Sequence, residues 1–103
     1  MKYTILLLMT CLICVLNATP VQAADIYKGR EVYTINCQVC HGADGRGVVP
    51  DTPDFSFGDS LIKPDVVLFS AISSGKGMSP AFRGVLSEEE IFNVISYLRT
   101  LQR

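Results

Sequence analysis

The sequence predicts an all-α domain with long irregular loops. Three observations lead there. Apolar residues recur at helical spacing in three separate segments, Gly and Pro gather between those segments, and no stretch of useful length alternates apolar with polar. A chain of 103 residues allows one domain and excludes a barrel enzyme or a two-domain nucleotide fold. Nine Lys and Arg against ten Asp and Glu give a net charge of −1, which provides no basic footprint for nucleic acid.

Residues 1–23 read as a cleaved secretory signal peptide, and 24–103 as the domain itself. Lys2 supplies the positive start, and Ile5 to Leu16 is an apolar run broken only by Thr10. Asn17, Thr19 and Pro20 follow, then Val21-Gln22-Ala23, with small residues at the first and third positions before a cut. A membrane-spanning helix needs about 20 apolar residues, more than this run offers, so no stable membrane insertion is expected after cleavage. Leu8-Met9-Thr10-Cys11 is a poor lipoprotein signal, because Thr10 is of the wrong size class. Cleavage removes Cys11 and Cys14 and leaves Cys37, Cys40, His41 and Met78 as the remaining Cys, His and Met residues. A domain this small is marginal on its own and needs a disulfide, a metal or an embedded cofactor as part of its core.

The first helix is expected from about Asp25 to Asn36. Gly29, Tyr33 and Cys37 fall at i, i+4 and i+8 and share one face. A Gly inside a helix costs up to about 1 kcal/mol against Ala, so close approach of another helix is its expected reason. The second helix starts at Pro64, tolerated at a first helical position, with Asp65 at the positive end of the dipole. Its apolar stripe is either Val66, Phe69 and Ile72, or Leu68 and Ile72, and Gly75 ends it as a left-handed cap. The third helix is the clearest: Ser87 and Glu90 form a capping box, with Leu86 and Ile91 as the staple across it. Glu88 and Glu89 suit its start, Arg99 and Arg103 its end, and Ile91, Val94, Ile95, Leu98 and Leu101 make the buried stripe. The runs 42–60 and 75–86 are rich in Gly and Pro, and loops that long in a small domain serve a function such as wrapping a cofactor.

Cys37-Gln38-Val39-Cys40-His41 carries the chemistry. A thioredoxin-like redox pair wants a strand before the cysteines and a βαβ pattern, and here a helix precedes them. A zinc site wants four ligands, and there is neither a second Cys pair nor a second His. A Cys37–Cys40 disulfide closes too short a loop to stabilise much. Covalent haem attachment remains: both thiols add to the haem vinyl groups, and the adjacent imidazole of His41 turns onto the iron. The three residues must share one turn because all three bonds land on one macrocycle. Met78, in Gly75-Lys76-Gly77-Met78-Ser79-Pro80-Ala81-Phe82, is the expected sixth ligand, since no other soft donor is available; its competing reading is a core gap-filler.

With these residues in place, the chain resembles the small bacterial class I cytochromes c over nearly all of 25–103. The landmarks are Gly29-x-x-x-Tyr33-x-x-x-Cys37-x-x-Cys40-His41-Gly42, Gly45-x-Gly47, Gly77-Met78-Ser79-Pro80-Ala81-Phe82, and Ile95-x-Tyr97-Leu98. The resemblance implies three to five helices wrapped around one covalently attached haem c, with its iron between His41 and Met78 and the first and last helices crossing. It gives Gly29 and Tyr33 the Tyr97 region as their partner. It also implies a Pro carbonyl, of Pro50 or Pro53, that accepts from the His41 ring, and a basic or polar group near the haem propionates, for which Arg46 is the nearest candidate.

The function expected is a periplasmic electron carrier, not an enzyme. His and Met on the iron leave no substrate site, and a thioether ligand favours Fe(II). Val49, Phe55, Phe57, Leu61, Ile62, Leu68, Phe69, Ile72 and Phe82 are candidate pocket residues. Larger redox proteins are the expected partners of this monomer, docking transiently at the haem edge through small interfaces. Lys28, Lys63 and Lys76 are too few for a basic docking ring, so an apolar patch near the attachment motif with scattered charge is expected instead. The alternatives are a subunit of a periplasmic dehydrogenase or oxidase, and an open-iron enzyme or sensor, which has no second His to act as its distal group.

Overall fold

The computed structural model describes residues 1–16 and 23–103, with the side chains of 14–16 and Asp59 set aside. Helix α1 (Lys2–Leu16) is exposed along Met1 to Ile13. Among the described residues no helix is long and apolar enough to cross a membrane. The expected Asn17, Thr19, Pro20 and Val21-Gln22 features of the cleavage region lie outside the described residues.

The domain is held by two helices that cross, α2 (Ile26–Asn36) and α5 (Glu88–Thr100). Asp25 starts α2: its carboxylate accepts from the backbone N–H groups of Tyr27 at 2.9 Å and Lys28 at 3.1 Å, two donors that a helix start leaves without intrahelical partners. Ser87 starts α5 with the complete capping box, Ser87 Oγ accepting from Glu90 N and the Glu90 carboxylate from Ser87 N. Gly29 faces α5 so closely that a Cβ there would lie 2.0 Å from the Asn93 carbonyl oxygen and 3.1 Å from Tyr97 Cβ. This is the close helix approach that its position predicted. Around the crossing, Val32, Tyr33, Ile91, Val94, Ile95 and Leu98 are buried, joined by Leu61 and Leu68 from outside the two helices.

Asn93 is a second tie at the same place. It is 2% exposed, and its side-chain oxygen accepts from the backbone N–H of Asp25 at 2.7 Å. One residue thus fixes the entry of α2 by its side chain and the helix spacing by its carbonyl.

Short helix α3 (Gln38–His41) follows α2 after a single residue. The loop beyond it contains two 3-10 turns, Phe55–Phe57 and Asp59–Leu61, which the sequence pattern did not announce. Helix α4 (Asp65–Ser74) buries Leu68 with Phe69 and Ile72 half-buried beside it, while Val66 is exposed. Of the two stripes expected there, the one through Leu68 faces the core, because that face meets α5. Pro64 is the residue before the helix rather than its first member, and Gly75 has φ 76° but ψ 160°. Its positive φ agrees with the expected cap; its extended ψ does not, because the chain leaves α4 straight into the next loop. There Phe82 N donates to Ile72 O at 3.1 Å and Arg83 N to Ser73 O at 3.0 Å.

Arg99 has a role beyond complementing the α5 dipole. Its guanidinium donates to the carbonyls of Leu61 at 2.8 Å and Lys63 at 3.0 Å and to the Asp65 carboxylate at 3.0 Å, latching the start of α4 onto α5.

Candidate haem site

The end of α2 and α3 bring Cys37, Cys40 and His41 into one turn. The Cys37 N–H donates to Tyr33 O at 2.9 Å, and Cys40 and His41 donate back to Cys37 O at 3.2 and 3.0 Å. Tyr33, fully buried, donates its hydroxyl to Gly42 O at 2.6 Å and so ties the crossing helices to the residue after His41. Its ring lies 5.2 Å from that of Tyr97, and burial holds its hydroxyl pKa far above the ordinary range.

Both cysteines are free thiols. Burial, with a smaller contribution from Cys40, pushes the Cys37 pKa up to about 11, so Cys37 is protonated at neutral pH. Burial also lowers the His41 pKa, because the charged imidazolium is the form that desolvation disfavours. His41 is therefore neutral at pH 7, with a lone pair free on its ring, and its buried Nδ1 has no hydrogen-bond partner in the protein. Neither Pro50 nor Pro53 supplies the expected carbonyl acceptor. The ring instead lies against Phe55, centroids 4.6 Å apart and planes 18° from parallel.

Met78 sits on a separate loop, in a tight turn closed by Ser79 N donating to Lys76 O at 3.0 Å, and it is 94% exposed. It fills no gap in the core. Of the other candidate pocket residues, Leu61 and Leu68 are buried in the helical core. Phe55, Phe69 and Ile72 pack half-buried against it, Phe82 is half-buried, and Val49, Phe57 and Ile62 face outward. Arg46 pairs with Asp44 at 3.3 Å. With Asp54, Ser56, Phe57 and Arg103, it also lines a cavity of about 220 Å³.

These residues fit a covalently held haem. Two free thiols and a neutral imidazole with an unpartnered buried nitrogen lie in one turn. Among the described residues, no three His, Cys, Asp or Glu side chains converge on a site for a bare metal ion.

The sequence profile of the family described as cytochrome c oxidase, cbb3-type, subunit III matches residues 24–98. The chain belongs to the cytochrome c family. Relatives include cytochrome c6 of Porphyra purpurea, 32% identical over 103 residues, covering 95% of this cytochrome and 93% of that protein. Cytochrome c6 of a Synechococcus strain is 35% identical over 86 residues, covering 79% and 74%. Among solved structures, cytochrome c6 of the diatom Phaeodactylum tricornutum superposes with a TM-score of 0.63 at 29% identity, covering 75% of this chain and 93% of that one. The c-type cytochrome KustC0563 superposes at 0.67 with 22% identity, a likeness of fold alone. The cytochrome has the all-α class I fold and carries one covalently bound haem c with its iron. It is an electron carrier, not an enzyme.

The structure adds three residues to those the motifs pointed to. Phe55 was legible as a candidate pocket residue but not as the neighbour of the His41 ring, and Asn93 only as a polar residue within an amphipathic helix. Arg99 looked like an ordinary helix-end cation. Each acts through a partner distant in sequence, for which local spacing carries no signal.

Proposed function

We propose that this cytochrome is an exported electron shuttle of the periplasm, passing single electrons between larger redox proteins. Cys37 and Cys40 attach the haem, and His41 and Met78 are its axial ligands. The observation that carries this reading is the one-turn cluster of two free thiols and a neutral imidazole at the end of α2. When bound, the haem supplies an iron that takes up and releases one electron. His41 donates a nitrogen lone pair, and Met78 a thioether that favours the reduced state. The exposure of Met78 supports a ligand over a core filler.

Residues 1–23 are proposed to be removed after export. The helical, exposed apolar run of α1 supports that reading. Exposed Val39 and Val48 flank His41 and offer the apolar surface expected for brief docking. The family profile names an oxidase subunit, but the Porphyra relative is a c6 protein spanned almost end to end by this chain, which favours the free carrier.

Acid–acetone extraction and a visible and near-infrared spectrum of the purified holoprotein test this reading. Haem that stays with the chain, together with the charge-transfer band of thioether-ligated ferric iron, is the expected result. Extractable haem overturns the attachment, and ferrous iron that binds carbon monoxide as readily as a Met78→Ala variant overturns the closed carrier site. Intact mass of the exported protein, starting at Ala24, checks the processing.

A further inference from the structure

His41 is joined to the chain through its backbone, yet its ring plane is not pinned at Nδ1, which has no hydrogen-bond partner. The contact that faces the ring is Phe55, at 4.6 Å and 18° from parallel. A ligand ring free to turn about its bond would blur the electronic structure of its metal, so partners that orient it matter as much as the ligand itself.

Phe55 is itself held from three sides. Its N–H donates to Gly45 O at 2.8 Å. It opens a 3-10 turn whose preceding residue, Asp54, accepts from Ser56 N at 2.8 Å and from the Ser56 hydroxyl. The last residue of the chain closes the same turn, Arg103 N donating to Ser56 O at 3.0 Å. Phe55 also packs against the helical core, and a Cβ on Gly45 would come within 3.2 Å of its own Cβ. The backbone that carries the Phe55 ring is thus held in place, its side chain packs half-buried against the core, and the imidazole lies nearly parallel to the ring.

We propose that Phe55 is a positioning residue, which sets the plane of the His41 imidazole by stacking and through it the electronic structure of the bound haem. This rests on His41 being an axial ligand. Aromatic pairs favour offset, near-parallel or edge-on geometries, so a parallel neighbour restrains ring rotation in a way that an aliphatic side chain of similar volume cannot.

The test uses the holoprotein. In the ferric state the spread and order of the four haem-methyl proton shifts follow the orientation of the axial ligand planes. Phe55→Leu keeps apolar bulk and loses the plate; Phe55→Tyr keeps the plate. The expected result is a rearranged methyl pattern and a shifted midpoint potential in Phe55→Leu, with the wild-type pattern restored in Phe55→Tyr. A residue with only a packing role would lower the melting temperature of Phe55→Leu and leave the methyl pattern alone, which overturns the proposal. Should Phe55→Leu fail to fold, the ferrous wild-type protein decides: cross-relaxation between Phe55 and His41 ring protons supports the stack, and its absence overturns it. The same spectrum separates the two readings. His41 ring protons strongly shifted by the haem ring current show ligation, and a methyl pattern unmoved in Phe55→Leu then defeats the positioning role alone. Unshifted His41 protons defeat ligation and this proposal together.

Discussion

The α2–α5 crossing and the loops between α3 and α5 are built on opposite plans. At the crossing the protein buries its own side chains: Tyr33, Val94 and Ile95 are wholly inside, and even the polar Asn93 is enclosed with its oxygen satisfied. In the loops several of the largest apolar side chains turn outward, Phe57 at 80% and Ile62 at 79% exposure. Backbone hydrogen bonds to neighbouring elements and glycines at positive φ hold these loops in place, and burial of those side chains contributes little. The difference teaches where the chain carries its own stability. The crossing is a core in the ordinary sense, whereas the loops are a surface shaped to be covered, which suits the wrapping of a cofactor.

Removing the haem should break the comparison most visibly. A chain made without attached haem is expected to lose amide-exchange protection throughout 42–86, with residual helicity confined to α2 and α5. Ligands that bind only the native state stabilise it, so the melt should also lose cooperativity. A cooperative, fully helical apoprotein by circular dichroism would contradict the division drawn here.

Next in size is Gly29→Ala, aimed at the crossing. Overpacking costs up to about 3 kcal/mol, and Ala returns about 1 kcal/mol in helix propensity. Backbone meets the new methyl group at Asn93, so a flexible side chain cannot simply swing away. A net loss of about 2 kcal/mol in denaturant unfolding of the holoprotein is expected, with the absorption spectrum unchanged.

Met78→Ala should do the reverse. An exposed side chain away from the core costs within about 0.5 kcal/mol of intrinsic packing, against 2–5 kcal/mol for a buried Met. The potential should nonetheless fall, and the ferrous protein should bind carbon monoxide. Stability loss of the buried size with an unchanged potential would place Met78 in the core after all.

The smallest effect belongs to Asp54, in the loop. The Ser56 hydroxyl holds its carboxyl below the usual carboxylate range, helped by the Ser56 N–H and the charges of Arg46 and Arg103. A depressed carboxylate contributes stability that is complete above its unfolded pKa of about 3.9 and is lost as pH falls through the folded value. Asp54→Asn should therefore lower stability slightly at neutral pH and flatten the acid limb of the stability curve, the two proteins converging below about pH 4.

Local pattern alone determined a good part of this protein. The capping box at Ser87, the buried stripe Ile91, Val94, Ile95 and Leu98 of α5, the Asp25 start of α2 and the cluster Cys37, Cys40 and His41 all follow from spacings of eight residues or fewer. Such features are legible because caps, helix faces and one-turn clusters are set by neighbours along the chain. Gly29 announced a close approach without naming the atom it meets.

Tertiary structure decided what lies between distant segments. It chose the Leu68 face of α4 over the Val66 face because α5 lies on that side. It placed Asn93 on Asp25 and Arg99 on the Leu61–Asp65 loop, pairings 68 and between 34 and 38 residues apart. It also laid Phe55 on His41 while leaving Pro50 and Pro53 away from Nδ1. No local period encodes those choices. Each depends on which surfaces meet once the two helices cross, and that geometry follows from burying one apolar core with every enclosed polar group that can be satisfied finding its partner.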